Sequence, residues 1–156
     1  MKHFTIGFFA MTLACGLTAQ AQETAPGNAI VLTIEFPHEV TIGKMPATGG
    51  SPVVGETIRL TLTNNSSASV TLHKANDCET RIWTVTDSSG QLIDDRAVCP
   101  MIFMPVTQTI APHARFTATE NVALDGTKYR DGAQYTLHYT FWGIAAAAAF
   151  TAHVAH

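Results

Sequence analysis

Apolar and polar residues alternate along most of the chain after residue 28. From Ala29 to Phe36, Ile30, Leu32, Ile34 and Phe36 fall on one face, and Val31, Thr33 and Glu35 on the other. From Glu56 to Asn64 the contrast is cleaner: Ile58, Leu60 and Leu62 point inward, and Thr57, Arg59, Thr61 and Thr63 outward. A period of two, rich in Thr and β-branched residues, predicts strands with one buried face. The same pattern predicts strands at Ser69–His73, with Val70 and Leu72 inward, at Arg81–Thr86 and at Gln91–Ile93. Further strands are expected at Met101–Ile110, where Pro105 marks an edge or bulge, at Arg115–Val122 and at Tyr135–Trp142. In the last of these Tyr135, Leu137, Tyr139 and Phe141 share a face.

The five alanines at 145–149 favour helix by propensity. Phe150, Ala152 and Val154 nevertheless align at period two, so Ala148–Val154 is expected to be a final strand. Turn signals separate these runs: Asn64-Asn65-Ser66-Ser67, Asp87-Ser88-Ser89-Gly90, Ala111-Pro112-His113-Ala114, Asp125-Gly126 and Asp131-Gly132. His38–Gly55 and residues 94–100 are long connections, expected to cross between sheets. Eight or nine strands with turns every 8–12 residues predict an all-β fold, an antiparallel immunoglobulin-like sandwich; a small closed barrel is the alternative.

The first residues follow a different rule. Met1-Lys2-His3 is a short basic start, Phe4–Leu17 is apolar, and Ala19-Gln20-Ala21 is a small-x-small site. This is the three-part pattern of a secretory signal peptide. The apolar run is short of the ~20 residues that span a bilayer. Cleavage after Ala21 is expected, with lipidation of Cys15, in Thr12-Leu13-Ala14-Cys15, as the competing reading. The chain thus divides into a signal peptide at 1–21, a short linker at 22–28 and one domain at 29–156. The mature product is expected to be periplasmic or secreted, without a membrane span.

Composition sharpens the compartment. Of 156 residues only 13% are charged, and the net charge is −3. Residues 1–21 hold a single charge, Lys2, so the mature chain keeps eight Lys and Arg against twelve Asp and Glu. Such a chain lacks the basic stripe of a nucleic-acid partner. Of the three cysteines, Cys78 and Cys99 lie in the mature part, and an even pair in an exported chain is expected to form a disulfide. Trp83 is expected to be the buried tryptophan beside it.

Candidate chemistry is sparse. The six mature histidines, His38, His73, His113, His138, His153 and His156, form no H-E-x-x-H and sit at no metal-ligand spacing with a carboxylate. His73 and His138 are expected to face solvent on strands, and His153 and His156 to lie at a fraying terminus. No G-x-S-x-G or Gly-rich phosphate loop occurs. Asp94-Asp95 is expected to be a solvated loop tip, where two carboxylates would share one environment. Cys99 followed by Met101 and Met104 offers soft ligands for Cu(I), but residues three apart on a strand point to opposite faces. No cofactor, no metal and no catalytic residue is assigned, and the residues that bind a partner are not legible.

Several signals occur in a recognisable order. Ile58-Arg59-Leu60-Thr61-Leu62-Thr63-Asn64 is followed by Val70-Thr71-Leu72, then by Ile82-x-x-Val85-x-Asp87-x-x-Gly90, Ile110-Ala111-Pro112 and Asp131-Gly132-Ala133-Gln134-Tyr135. Over roughly residues 55–142 this order resembles the BsuPI-like intracellular proteinase inhibitor domain family. His113-Ala114 replaces that family's Gly-Glu, and Leu92-Ile93 stand where it has an aromatic residue. The resemblance implies an immunoglobulin-like sandwich and a non-catalytic protein-binding role, with a protease as the partner. An accessory domain of the cell envelope is the second expectation, and a periplasmic copper carrier the third.

Overall fold

The structure, a computed structural model, describes residues 29–43, 53–96, 99 and 103–154. The readings placed on the signal peptide, Ala21, Cys15, the 22–28 linker, Met101 and His156 fall outside these residues.

Ten strands form among the described residues: β1 (Ile30–Glu35), β2 (Glu39–Ile42), β3 (Val53–Asn64), β4 (Val70–Lys74), β5 (Arg81–Asp87), β6 (Leu92–Arg96), β7 (Val106–Ile110), β8 (Arg115–Asp125), β9 (Ala133–Phe141) and β10 (Ile144–Val154). They order as β1-β3-β8, β2-β10-β9-β5-β6 and a β4-β7 pair. Every ladder is antiparallel except β2 on β10. The all-β class expected from the alternation therefore holds.

The same alternation builds the core. Ile58, Leu60 and Leu62 of β3 are fully buried, as are Val122 and Leu124 of β8. Across from them lie Trp83 and Val85 of β5, Tyr135, Leu137, Tyr139 and Phe141 of β9, and Phe150 and Ala152 of β10. All belong to one apolar cluster, so the two larger sheets pack face to face as a sandwich. Phe116 stacks on Phe141 at 6.0 Å, linking β8 to β9 across the layers.

Three expectations about elements change. The strand count is ten rather than eight or nine, because the His38–Gly55 connection contains β2, whose Val40 and Ile42 are fully buried. Only four residues long and following Pro37, β2 offers too short an alternation to stand out. The final strand begins at Ile144 instead of Ala148, since each alanine from 145 to 149 pairs with β9; sheet pairing overrides helix propensity here. Third, Asp94 and Asp95 lie inside β6 rather than at a loop tip. The crossing from the five-stranded sheet to β7 follows Arg96.

Asn64 ends β3 and is fully buried. Its side-chain amide reaches the carbonyls of Ala68, Ile110 and Ala111, and its Oδ1 accepts from the Ser66 N–H. It thereby holds the β3–β4 bend against the end of β7, satisfying backbone groups where the chain leaves the sheets.

Candidate functional site

The disulfide forms as expected: Cys78 and Cys99 are bonded, with Cα atoms 5.7 Å apart. Cys78 opens a short 3-10 turn, Cys78–Thr80, that leads directly into β5. Trp83 on β5 is 3% exposed, as read from the sequence. With its sulfur committed to Cys78, Cys99 is not a thiolate donor, which removes the soft ligand on which copper binding rested.

Beyond Cys99 the next described residues are Phe103, Met104 and Pro105, an irregular segment running into β7. Phe103 is 78% exposed and Met104 68%, the largest values among the exposed large hydrophobic residues. The Met104 N–H donates to the Ala75 carbonyl at 3.0 Å, so the segment is fixed to the chain that follows β4. Two adjacent apolar side chains thus stand in solvent on a backbone held by that bond and by the β4–β7 ladder, which begins at Val106, just downstream. Adjacent exposed apolar side chains on a loop present an apolar surface that the fold itself does not cover. The strand expected from Met101 to Ile110 starts only after Pro105, at Val106, so Met104 lies outside it.

The remaining candidates are structural. His73 and His138 face solvent as expected, and His138 Nε2 meets Thr86 Oγ1 at 3.1 Å. His153 does not fray: it lies within β10, paired by its Nε2 with the Glu39 carboxylate of β2, and its Nδ1 lies 4.0 Å from Asp131. Among the described residues no group of three or more His, Cys, Asp or Glu is placed to hold a metal ion. No helix of the described residues is long and apolar enough to cross a membrane.

Asp94 and Asp95 occupy different environments, contrary to the expectation of a shared solvated tip. Asp95 is exposed, whereas Asp94 is 5% exposed. Asp94 Oδ2 accepts from the Asp125 N–H at 2.9 Å and from the Tyr129 hydroxyl at 3.3 Å. Its Oδ1 accepts from Lys128 Nζ at 2.7 Å and from the Asp95 N–H at 3.0 Å. Four donors converge on one carboxylate, binding edge strand β6 to the end of β8 in the other sheet. Its hydrogen bond raises the Lys128 pKa. Burial raises that of Tyr129, with the Asp94 charge adding to it. Every acceptor of Asp94 is engaged, so it serves as a clamp between layers.

An open cleft of about 690 Å³ lies between Ile34–His38 and Ala147–Ala149. Its β10 wall is three alanine methyls, and the Glu35 carboxylate on its rim lies 3.9 Å from Arg59 Nε. Glu35 and His38 are the titratable side chains in its lining, and the alanine wall opposite adds none.

No protein-family model matches the chain, and no curated protein matches it. Among solved structures, a β-glucosidase from Listeria innocua in complex with glucose aligns with 80% of this chain at 9% identity and a TM-score of 0.45. The X-ray structure of Northeast Structural Genomics Consortium target SoR45 aligns with 81% of this chain and 86% of its own at 17% identity, also with a TM-score of 0.45. This chain spans 16% of the length of the β-glucosidase chain it aligns with.

Proposed function

We propose that this chain is an exported, non-catalytic protein-binding module that engages a protease in the manner of a proteinase inhibitor. The observation that carries the reading is the exposed Phe103–Met104 pair on a segment tied by the Met104–Ala75 backbone bond. An apolar pair whose backbone is tied by the Met104–Ala75 bond has fewer groups to order on binding. The order of motifs that resembles the BsuPI-like family supports the same role, as does the low charge, which favours apolar recognition over steering. The disulfide and the signal pattern support an oxidising, extracytoplasmic compartment.

The test uses the oxidised mature chain, titrated against a panel of secreted serine, cysteine and metalloproteases. Inhibition of at least one is expected. The double variant Phe103→Ala/Met104→Ala is expected to fold with unchanged thermal stability and to lose about 30-fold or more in affinity, the scale of a central contact. Full activity of every protease beside the wild-type chain would refute the reading.

A further inference from the structure

The β9–β10 hairpin turns through two residues, Trp142 and Gly143, with Phe141 and Ile144 paired across it. Trp142 has φ +54° and Gly143 φ +87°, the two positive values of a type I′ turn, whose first position favours Asn, Asp or Gly. In such a turn the flanking pair exchanges backbone hydrogen bonds, so Ile144 aims its N–H and C=O at β9. Backbone groups alternate sides along a strand, so Ala146, Ala148, Phe150 and Ala152 face β9 as well. The Ala152 carbonyl does so, accepting from the Gly132 N–H at 2.8 Å. Ala145, Ala147, Ala149 and Thr151 therefore aim their backbone groups at the opposite edge. There the Thr151 N–H donates to the His38 carbonyl at 2.8 Å, just before β2. β2 pairs with Thr151–Val154 and no further. Among the described residues nothing pairs with the outward N–H and C=O groups of Ala145, Ala147 and Ala149.

This stretch lacks what ordinarily guards an exposed edge, which is a lysine, a proline or a bulge. Ile144 to Phe150 holds no charge and no proline, and its register with β9 runs unbroken. There is also room beside it. The 690 Å³ cleft borders Ala147–Ala149, and Ile34, Phe36 and Pro37 line its other side. Ile34 and Phe36 are half-buried, so apolar surface stays open to the cleft. Free N–H and C=O groups recur on every second residue, about 7 Å apart, a spacing that the backbone of another strand matches. The other half of the same edge already takes a strand, because β2 lies in the sheet against Thr151–Val154.

We infer that the Ala145–Ala149 edge of β10 is a docking surface for an extended polypeptide segment of about five residues, which adds to the sheet as a strand in line with β2. Side chains of the added strand opposite Ala146 and Ala148 share the core-facing side of the sheet and enter the cleft toward Ile34 and Phe36, so they are apolar. Those opposite Ala145, Ala147 and Ala149 lie on the exposed side, so they are polar. The ligand is thus a strand of alternating polar and apolar residues. None of these positions belongs to the Phe103–Met104 segment, so this surface stands or falls apart from the protease reading.

The probe is the peptide acetyl-Lys-Thr-Val-Thr-Val-Thr-Lys-amide, added to the isotope-labelled, oxidised mature chain while amide hydrogen exchange is read residue by residue. In the free chain Ala146 and Ala148 are expected to exchange slowly, and Ala145, Ala147 and Ala149 fast. Saturating peptide is expected to slow Ala147 and Ala149 by about tenfold or more. The same peptide N-methylated along its Thr-Val-Thr-Val-Thr core cannot donate, and is expected to slow neither. Ala147→Pro removes one outward N–H and spares the β9 ladder, as proline does on an edge. It is expected to melt within about 4 °C of the wild type and to bind the peptide about tenfold more weakly or worse. Phe103→Ala/Met104→Ala is expected to bind it as the wild type does. Unchanged exchange at millimolar peptide would overturn the inference, as would equal slowing by the N-methylated peptide or wild-type binding by Ala147→Pro. Should Ala147→Pro melt far lower, the two peptides decide on the wild type alone. Slow exchange at Ala145, Ala147 and Ala149 in the free monomer would mean that the chain fills its own edge. Protection that grows with protein concentration, together with a dimer in sedimentation, would give the edge to a second copy. Either result overturns the assignment to a partner strand.

Discussion

Replacing Asp94 is expected to be among the most damaging single changes outside the apolar core. Its carboxylate is 5% exposed and receives four donors, from Asp95, Asp125, Lys128 and Tyr129. Asp94→Ala removes all four acceptor contacts at once. The Tyr129 hydroxyl, on a residue 6% exposed, is left without that partner, as is the Asp125 N–H. An orphaned buried donor costs about 1–3 kcal/mol. Lys128 keeps 40% side-chain exposure, so solvent recovers much of its charge and its share is discounted. Two orphaned donors plus a weakened ion pair give about 3–5 kcal/mol for Asp94→Ala. Asp94→Asn keeps one acceptor oxygen, turns an amide group toward two donors, and should cost about 2–3 kcal/mol on the same reasoning. Urea unfolding of the oxidised mature chain, followed by far-UV circular dichroism, measures both. A loss below 1 kcal/mol in Asp94→Ala would refute the clamp, since it would mean that water replaces the carboxylate at no cost.

The other expectations follow from single features. Leu60→Ala, at a fully buried position in the middle of β3, should cost about 2–5 kcal/mol by chemical denaturation. Reducing the Cys78–Cys99 disulfide opens a 21-residue separation and should cost about 3 kcal/mol while leaving the strand signal intact at 25 °C. Alkaline pH should destabilise the protein. Burial raises the pKa of Tyr129 and pushes that of Tyr139 up to about 12, while the unfolded phenols titrate near 10. The folded state thus holds more protons above pH 10, so stability is full below that pH and falls as pH rises through the folded values. Lys128, raised by Asp94, acts in the same direction above its unfolded value of 10.5. Melting temperature measured from pH 8 to 12 should fall most steeply past pH 10, and Tyr139→Phe should flatten that fall.

Period-two alternation made the large sheets readable because each has one wet face. Ile58, Leu60 and Leu62 alternate with Thr and Arg, and their burial follows from the pleat alone. The Asp87-Ser88-Ser89-Gly90 turn was equally local: Asp87 Oδ1 accepts from the N–H groups of Ser89 and Gln91, and Gly90 takes φ +84°. What escaped depends on partners distant in sequence. β2 is stabilised by β10, more than a hundred residues away, through a parallel register that no hairpin signal announces. Asp94 is buried because Lys128 and Tyr129 arrive from another loop, and a carboxylate flanked by a second one reads as surface until those donors are known. Exposure of Phe103 and Met104 was hidden for the opposite reason. Apolar residues beside a strand read as core, and only Pro105 hinted that the strand had not begun.

The places where residue type and environment disagree fall into two kinds, those answered within the fold and those left to solvent. Asp94 is a charge in the interior, but four donors answer it, so the disagreement is repaired within the fold and stability accounts for it. His113 takes φ +56°, yet histidine tolerates the left-handed region better than most residues and the position is an exposed turn. Phe103 and Met104 are large apolar side chains in water, and Trp142 is a bulky residue at a position suited to Asn. Of these three, Trp142 packs against the core cluster and is answered there, whereas Phe103 and Met104 stand exposed. Unrepaired disagreement scattered over a surface would mean little. Val31 and Leu92 are also exposed, at 44% and 55%, so what sets Phe103 and Met104 apart among the described residues is their adjacency and their 78% and 68% exposure, and on that pair the proposed protein contact rests.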